Sequence, residues 1–95
     1  MIDRDFELAG NYPNPFNPLT HIIVKVNKAQ PLTIHIYDIQ GRKIKTLYDN
    51  NISTGTHEIP WDASDDFNQP VTSGIYFYRV SSGEKIKTNR MLLIK

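Results

Sequence analysis

Hydrophobic residues recur at every second position over much of the chain. Ile22, Val24 and Val26 share one face of an extended segment, and residues 32–36 repeat the alternation as Leu, Ile and Ile. In a third segment, residues 57–61, His, Ile and Trp alternate in the same way. A period of two is typical of half-buried β-strands, and no stretch of helix length shows the helical period. The pattern therefore predicts short strands and no helix of ordinary length.

Turn residues divide this pattern into short strands of similar spacing. After the first two strands, we expect strands at residues 42–48, 57–61, 74–80 and 85–94. Residues 38–41 (DIQG) predict a hairpin loop in which Gly41 adopts the left-handed conformation. Ile44 and Leu47 are three positions apart in a segment too short for a helix, which predicts a β-bulge. The longest expected connection covers residues 62–73.

Short strands joined by turns predict an all-β fold, an immunoglobulin-like antiparallel β-sandwich of about seven strands. Tyr76 follows Gly74 in a pattern typical of a tyrosine corner, in which the phenol hydroxyl bonds an upstream backbone carbonyl. Pro60 predicts either an edge position for its strand or a position whose N–H direction is unpaired, because proline has no N–H for a ladder. The chain has no cysteine, so the sandwich holds no disulfide. The residues expected in or beside the core are Ile34, Ile36, Trp61, Tyr76 and Leu92.

The last predicted strand is basic. We expect its inward side chains to be Ile86, Thr88, Leu92 and Ile94. We expect its exposed side chains to be Lys85, Lys87 and Lys95. Lysines on an edge strand discourage edge-to-edge pairing, which is one interpretation of the pattern. The other interpretation is a docking strip for an acidic partner.

Length and charge exclude several classes of protein. A chain of 95 residues forms one domain, because two cores of that size would each be too small. The formal net charge of +1 argues against a nucleic-acid binder that works by neutralising phosphates. No apolar run approaches the roughly 20 residues of a membrane span. The first residues show no signal peptide, and we interpret 1–7 as a linker or cloning remnant and 8–95 as the domain.

The residues give little support to catalysis or metal binding. His21, His35 and His57 lie on different predicted strands and lack zinc-site spacing. Asp62, Asp65 and Asp66 form the one carboxylate cluster, and we favour local side-chain-to-backbone turns there, with calcium binding left open. No nucleophile-elbow pattern is present. We therefore expect no catalysis and no cofactor.

Four motifs resemble one known family. Residues 11–20 (NYPNPFNPLT) contain three prolines in six positions, which predict a rigid, extended lead-in. They resemble the opening of the type A C-terminal sorting domains of the bacterial type IX, or Por, secretion system. Residues 36–42 (IYDIQGR), 73–78 (SGIYFY) and 88–95 (TNRMLLIK) are similar to three further motifs of that family.

The resemblance spans residues 8–95, with Arg90 at a position where the family commonly has lysine. Residues 61–76 also resemble the immunoglobulin-like domain of flagellar hook-capping proteins, which supports the fold.

The resemblance implies a β-sandwich at the end of a larger cargo protein of Bacteroidota. It implies recognition by outer-membrane translocon components and removal by a sortase-like peptidase. The cargo would pass through the periplasm to the cell surface or the medium. The alternative function is a non-catalytic accessory or adhesion module of an extracellular enzyme. The residues that we expect to form or support the recognition surface are Gly74, Tyr76, Lys85, Lys87, Thr88, Arg90 and Lys95.

Overall fold

A computed structural model describes residues 5–95, which form seven antiparallel strands in two sheets. The strands are β1 (Phe6–Tyr12), β2 (Thr20–Val26), β3 (Gln30–Tyr37), β4 (Lys43–Ile52), β5 (Gly55–Trp61), β6 (Gly74–Ser82) and β7 (Lys85–Leu93). One sheet has the order β1-β2-β5 and the other β4-β3-β6-β7. The predicted all-β sandwich of seven strands is confirmed. Within residues 5–95, no helix is both long enough and apolar enough to span a membrane.

The two sheets bury their apolar faces against one shared core. The alternating side chains of β2 and β3 are buried as predicted, and Trp61 and Tyr76 are 1% and 5% exposed. Each large apolar side chain that leaves water contributes roughly 1.5–3 kcal/mol to stability. Further large core side chains come from outside the alternating segments, and these are Phe6, Phe16, Tyr78, Met91 and Leu93.

Local predictions for the hairpin, the bulge and the edge strand are confirmed. Gly41 has a φ of 85°, and its N–H bonds the carbonyl of Asp38 across the β3–β4 turn. The pairing of β3 with β4 shifts register twice, between Ile34 and His35 and again two residues later, as a bulged ladder does. Strand β5, which carries Pro60, lies at the edge of its sheet.

One strand was not expected, and another extends beyond its expected end. Strand β1 begins at Phe6, which is buried, two residues before the expected start of the domain at residue 8. Its alternation is interrupted at Gly10, where the register against β2 shifts. Strand β4 continues to Ile52, beyond its expected end at residue 48, because residues 49–51 pair with the start of β3. Cross-strand pairing there overrides the low strand propensity of Asp and Asn.

The expected facing of the last strand is wrong by one residue. Met91 and Leu93 face the core, because they lie opposite Tyr76 and Gly74 of β6 and cross-strand partners share a face. The side chains expected inward are instead exposed, and these are Ile86, Thr88, Leu92 and Ile94. Of the lysines expected to be exposed, Lys85 and Lys87 are half-buried and Lys95 is exposed.

Candidate functional site

The four sequence motifs meet at one end of the sandwich, which we name the motif end. It consists of residues 13–19 between β1 and β2, 38–42 between β3 and β4, 62–73 between β5 and β6, and 94–95 after β7. It also includes the strand ends that adjoin these segments, among them residues 74–76 of β6 and 90–93 of β7. Backbone hydrogen bonds join these segments, such as those from Asp66 N–H to the Ile44 carbonyl and from Ile94 N–H to the Phe16 carbonyl. Motifs far apart in sequence therefore form one continuous surface.

Residues 13–19, which we name the proline segment, lie against the end of β7. The Phe16 N–H donates to the Leu92 carbonyl at 3.0 Å, and the Ile94 N–H donates to the Phe16 carbonyl at 2.9 Å. The side-chain oxygen of Asn14 accepts from the Leu92 N–H at 3.0 Å. The segment thus adds a short parallel bridge to the edge of β7 and joins the first motif to the last.

Aromatic side chains support the motif end from inside. The ring of Phe16 lies 5.7 Å from that of Trp61, which lies 5.6 Å from that of Tyr76. The Trp61 Nε1–H donates to the Ser64 carbonyl, and the Tyr76 hydroxyl donates to the Thr72 carbonyl at 2.5 Å. The tyrosine corner is confirmed. These contacts hold the long 62–73 connection on the core, because both hydrogen bonds end on its backbone.

A second tyrosine anchors the start of the proline segment. Burial raises the pKa of Tyr78 to about 12, and its hydroxyl lies 3.4 Å from the Asn11 side-chain oxygen. The Asn11 amide donates to the Thr20 hydroxyl, which donates to the Pro13 carbonyl at 2.8 Å. Since buried polar groups are costly when unpaired, this chain of bonds favours a single position for the segment.

The hairpin at residues 38–42 is held by one carboxylate. Asp38 accepts from the backbone N–H groups of Gln40 and Arg42, and its second oxygen lies 2.9 Å from the Arg42 Nε. The backbone N–H of Arg42 is the main cause that lowers the pKa of Asp38. The apolar side chain at the tip, Ile39, is 69% exposed. A rigid turn therefore presents an apolar residue to solvent at the motif end.

The carboxylates of the 62–73 connection bond the protein itself. Asp62 accepts from the Ser64 hydroxyl, which lowers the pKa of Asp62. Asp65 accepts from two backbone N–H groups at 2.9 Å each, and Asp66 accepts from the Thr46 N–H at 3.0 Å. The predicted side-chain-to-backbone turns are confirmed. Between residues 5 and 95, no group of three or more metal-binding side chains could hold an ion.

The three histidines lie on three different strands, as predicted. His21 is in β2, His35 in β3 and His57 in β5. His57 bonds the Ser53 carbonyl at 2.8 Å, and His35 packs edge-on against the ring of Tyr37. Burial is the largest cause that lowers the pKa of His35. The structure brings no two of these rings together within one site.

The residues expected to form the recognition surface separate into two groups. Lys85 lies 3.6 Å from Asp5, and the Lys87 ammonium lies 5.8 Å from the centre of the Phe6 ring, both at the end opposite the motif end. Thr88, in the middle of β7, and Arg90, towards the motif end, are exposed.

The other expected residues lie at the motif end itself. The backbone N–H of Lys95 bonds the Ser73 hydroxyl. Gly74 starts β6 with a φ of 150°, a conformation that residues with a Cβ rarely adopt, and Tyr76 follows it. The seven residues therefore extend from the end opposite the motif end to the motif end itself.

Exposed apolar side chains, which the sequence analysis missed, mark the motif end. Of the eight large ones among residues 5–95, seven lie in its loops or within two residues of the adjoining end of a strand, and these are Tyr12, Leu19, Ile39, Phe67, Ile75, Leu92 and Ile94. The eighth, Ile86, lies at the opposite end of β7. Such a concentration on a small surface is typical of an interaction site. A signal was available, because Ile39 and Phe67 stand in predicted turns.

The secretion-system C-terminal sorting domain family matches residues 11–95 of the chain. The chain belongs to this family. It is a type IX secretion sorting domain, a non-catalytic signal that directs the secretion of its cargo. Cargo of this system is secreted or attached to the cell surface. The family match includes all four motifs that form the motif end.

Two solved structures from Porphyromonas gingivalis are similar to the sorting domain. Dimeric latent PorU matches 98% of this chain with a TM-score of 0.78 at 19% identity. PorZ, an essential surface component of the type IX secretion system, matches 90% with a TM-score of 0.58 at 25% identity. The sorting domain spans 10% of the PorU chain and 11% of the PorZ chain. No curated protein matches it.

Proposed function

We propose that outer-membrane components of the type IX translocon read the motif end of the sorting domain. The cargo, joined before β1, passes through the periplasm and across the outer membrane, and a sortase-like peptidase then removes the domain. The observation that carries this proposal is the convergence of four separate motifs on one end. A stable sandwich alone does not require that its distinctive residues lie together.

The direction of the chain supports the same surface. Strand β1 begins at the end opposite the motif end, near Asp5 and Lys85, so a preceding cargo domain leaves from there. The longest dimension of the domain is 42 Å. The motif end therefore points away from the cargo, where a large folded domain does not cover it.

Two basic side chains on the β7 side of the motif end support contact with an acidic partner, while the carboxylates of the 62–73 connection accept hydrogen bonds from the protein itself. Arg90 and Lys95 are exposed there, and Thr88 lies beside Arg90 on the outer edge of β7. Gly74 and Tyr76 support this surface from the neighbouring strand. Positive groups on a rim raise the rate of association with an acidic surface. Lys85 and Lys87 contribute instead to the opposite end, where they contact residues that precede or begin β1.

Export of a reporter tests the proposal. The domain is fused to a reporter in a bacterium that has the type IX system, either unchanged, with Arg90→Glu and Lys95→Glu, or with Lys25→Glu and Lys28→Glu. The last pair makes the same charge change away from the motif end. We expect the first pair to be retained in the periplasm, since it reverses the charges that the partner reads, and the second pair to be exported normally. Both should stay folded, because exposed charges change stability by only about 0.5 kcal/mol.

The melting temperature of each purified variant shows whether it is folded. Equal export of a folded Arg90→Glu, Lys95→Glu variant would contradict the proposed role of these charges.

A further inference from the structure

A shallow groove runs along the outer edge of β7, and we name it the β7 groove. It consists of two adjoining depressions of about 430 and 250 Å³ that share Asn89 and Arg90. Its main lining residues are Asn14, Ile75, Phe77, Asn89, Arg90 and Leu92. The motif end therefore contains a concave surface as well as exposed apolar side chains.

The apolar part of the β7 groove is on the sheet face that points away from the core. Ile75 pairs with Leu92 and Phe77 pairs with Arg90 across β6 and β7, so all four side chains share this face. Ile75 and Leu92 are each 37% exposed, and Phe77 is half-buried between the strands. A side chain of a partner could cover this apolar surface without any rearrangement of the sheet.

Charge selects the kind of partner. Arg90 is exposed in the groove, and among the described residues no carboxylate lines either depression. The next arginine on the same face, Arg79, lies 4.8 Å from the centre of the Tyr37 ring. The groove thus combines an apolar surface with a guanidinium group, and a carboxylate beside an apolar side chain complements both.

The backbone selects the shape of the partner. Strand β7 is the last strand of its sheet, and the proline segment covers its outer edge only around Leu92. In an antiparallel strand, alternate residues direct their backbone groups to the same side, so Thr88 and Ile86 direct theirs outward as Leu92 does. The chain already shows an extended segment paired on this edge at Leu92. The Arg90 N–H donates to the Asn89 side-chain oxygen at 2.9 Å, so the edge left for an added segment is at Thr88 and Ile86.

We propose that the β7 groove binds an extended segment of a partner protein, which adds beside β7 next to the proline segment. The segment places an apolar side chain on Ile75 and Leu92 and a carboxylate on Arg90. Leu92 and Arg90 are two residues apart, about 6.6 Å along a strand. An apolar and an acidic residue at positions i and i+2 of the segment match that spacing. This inference rests on the proposed function, since it names the chemistry of the partner that reads the motif end.

Nuclear magnetic resonance with the ¹⁵N-labelled domain tests the inference. The probe is a synthetic peptide in which leucine and aspartate alternate at every second position, with threonine between them. The matched control peptide has lysine in place of aspartate. We expect the aspartate peptide to shift the amide signals of residues 75–77 and 88–92, and the lysine peptide to shift none of them.

Matched variants locate the binding. Arg90→Glu and Leu92→Ser should each weaken binding of the aspartate peptide about tenfold or more, the loss expected for one good contact. Lys28→Glu and Ile39→Ser make corresponding changes at exposed residues that line neither depression, and they should leave the affinity unchanged.

Three outcomes would overturn the inference. One is a lack of shifts with the aspartate peptide, and another is equal shifts with both peptides. The third is a concentration-dependent dimer that Arg90→Glu abolishes, because the occupant would then be a second copy of the chain. Loss of export in Arg90→Glu without peptide binding would leave the proposed function standing and reject only the groove chemistry. If the parent domain binds the peptide and Arg90→Glu is nevertheless exported normally, the groove chemistry stands and the proposed function of this surface in export is rejected.

Discussion

Tyr76 shows at the scale of one residue how a hydroxyl holds the motif end together. Its O–H donates to the Thr72 carbonyl, four residues earlier, while its ring packs on Trp61. The bond therefore joins the 62–73 connection to the core at the point where β6 begins.

Replacing Tyr76 with phenylalanine should lower the free energy of unfolding by about 1 kcal/mol or more, because the Thr72 carbonyl loses its partner. Urea denaturation measures the change. Tyr12→Phe is the control, since Tyr12 is 73% exposed, and it should change stability by less than about 0.5 kcal/mol. Equal stability of Tyr76→Phe and the parent would contradict the role of the corner hydroxyl.

Single residues differ in how far the sequence predicts them. The tyrosine corner is predictable because it has a local pattern, a tyrosine two residues after a glycine. Phe16 is 2% exposed and central to the motif end, yet prolines flank it and no periodic neighbours mark it as buried. Its burial depends on contacts with Trp61 and the end of β7, which are remote in sequence.

The facing of β7 gives a direct prediction at the scale of one strand. Met91→Ala should lower the free energy of unfolding by about 2–5 kcal/mol, because Met91 is buried in the shared core. Leu92→Ala should cost less than about 1 kcal/mol, since this side chain faces outward. Thermal unfolding of the two variants compares them directly. A larger loss for Leu92→Ala than for Met91→Ala would mean that Leu92, and not Met91, faces the core.

The proline segment gives a second prediction at this scale. Asn14→Ala removes the side chain that accepts from the Leu92 N–H, and it should accelerate hydrogen exchange at Leu92. Asn17→Ala is the control, because Asn17 lies in the same segment and is exposed. The Leu92 amide should then exchange as in the parent domain. Unchanged exchange in Asn14→Ala would show that the segment does not hold the strand.

Elements with clean alternation were predictable, and those without it were not. Strands β2 and β3 bury every second residue, so their faces follow from the sequence. Residues 91–94 (MLLI) are apolar at both parities, so the pattern does not choose a face and the pairing with β6 decides it. Strand β1 was missed because the shift at Gly10 interrupts its period.

The whole molecule has two ends with different properties. One end holds the start of β1 and the contacts of Lys85 and Lys87, and the other holds the four motifs and most exposed apolar side chains. The sequence shows each motif separately, but only the strand order brings them together. The basic residues of the last strand extend from one end to the other: Lys85 and Lys87 lie opposite the motif end, and Arg90 and Lys95 lie near it.

Site-specific photo-crosslinking during export tests the two-ended account most directly. A photoreactive residue is placed at Leu19 or Ile39 of the motif end, or at Lys28 or Glu84 of the opposite end, all of which are exposed. The account predicts adducts with outer-membrane translocon proteins from Leu19 and Ile39 and none from Lys28 and Glu84. Adducts only from Lys28 and Glu84, with efficient export of all four variants, would contradict it.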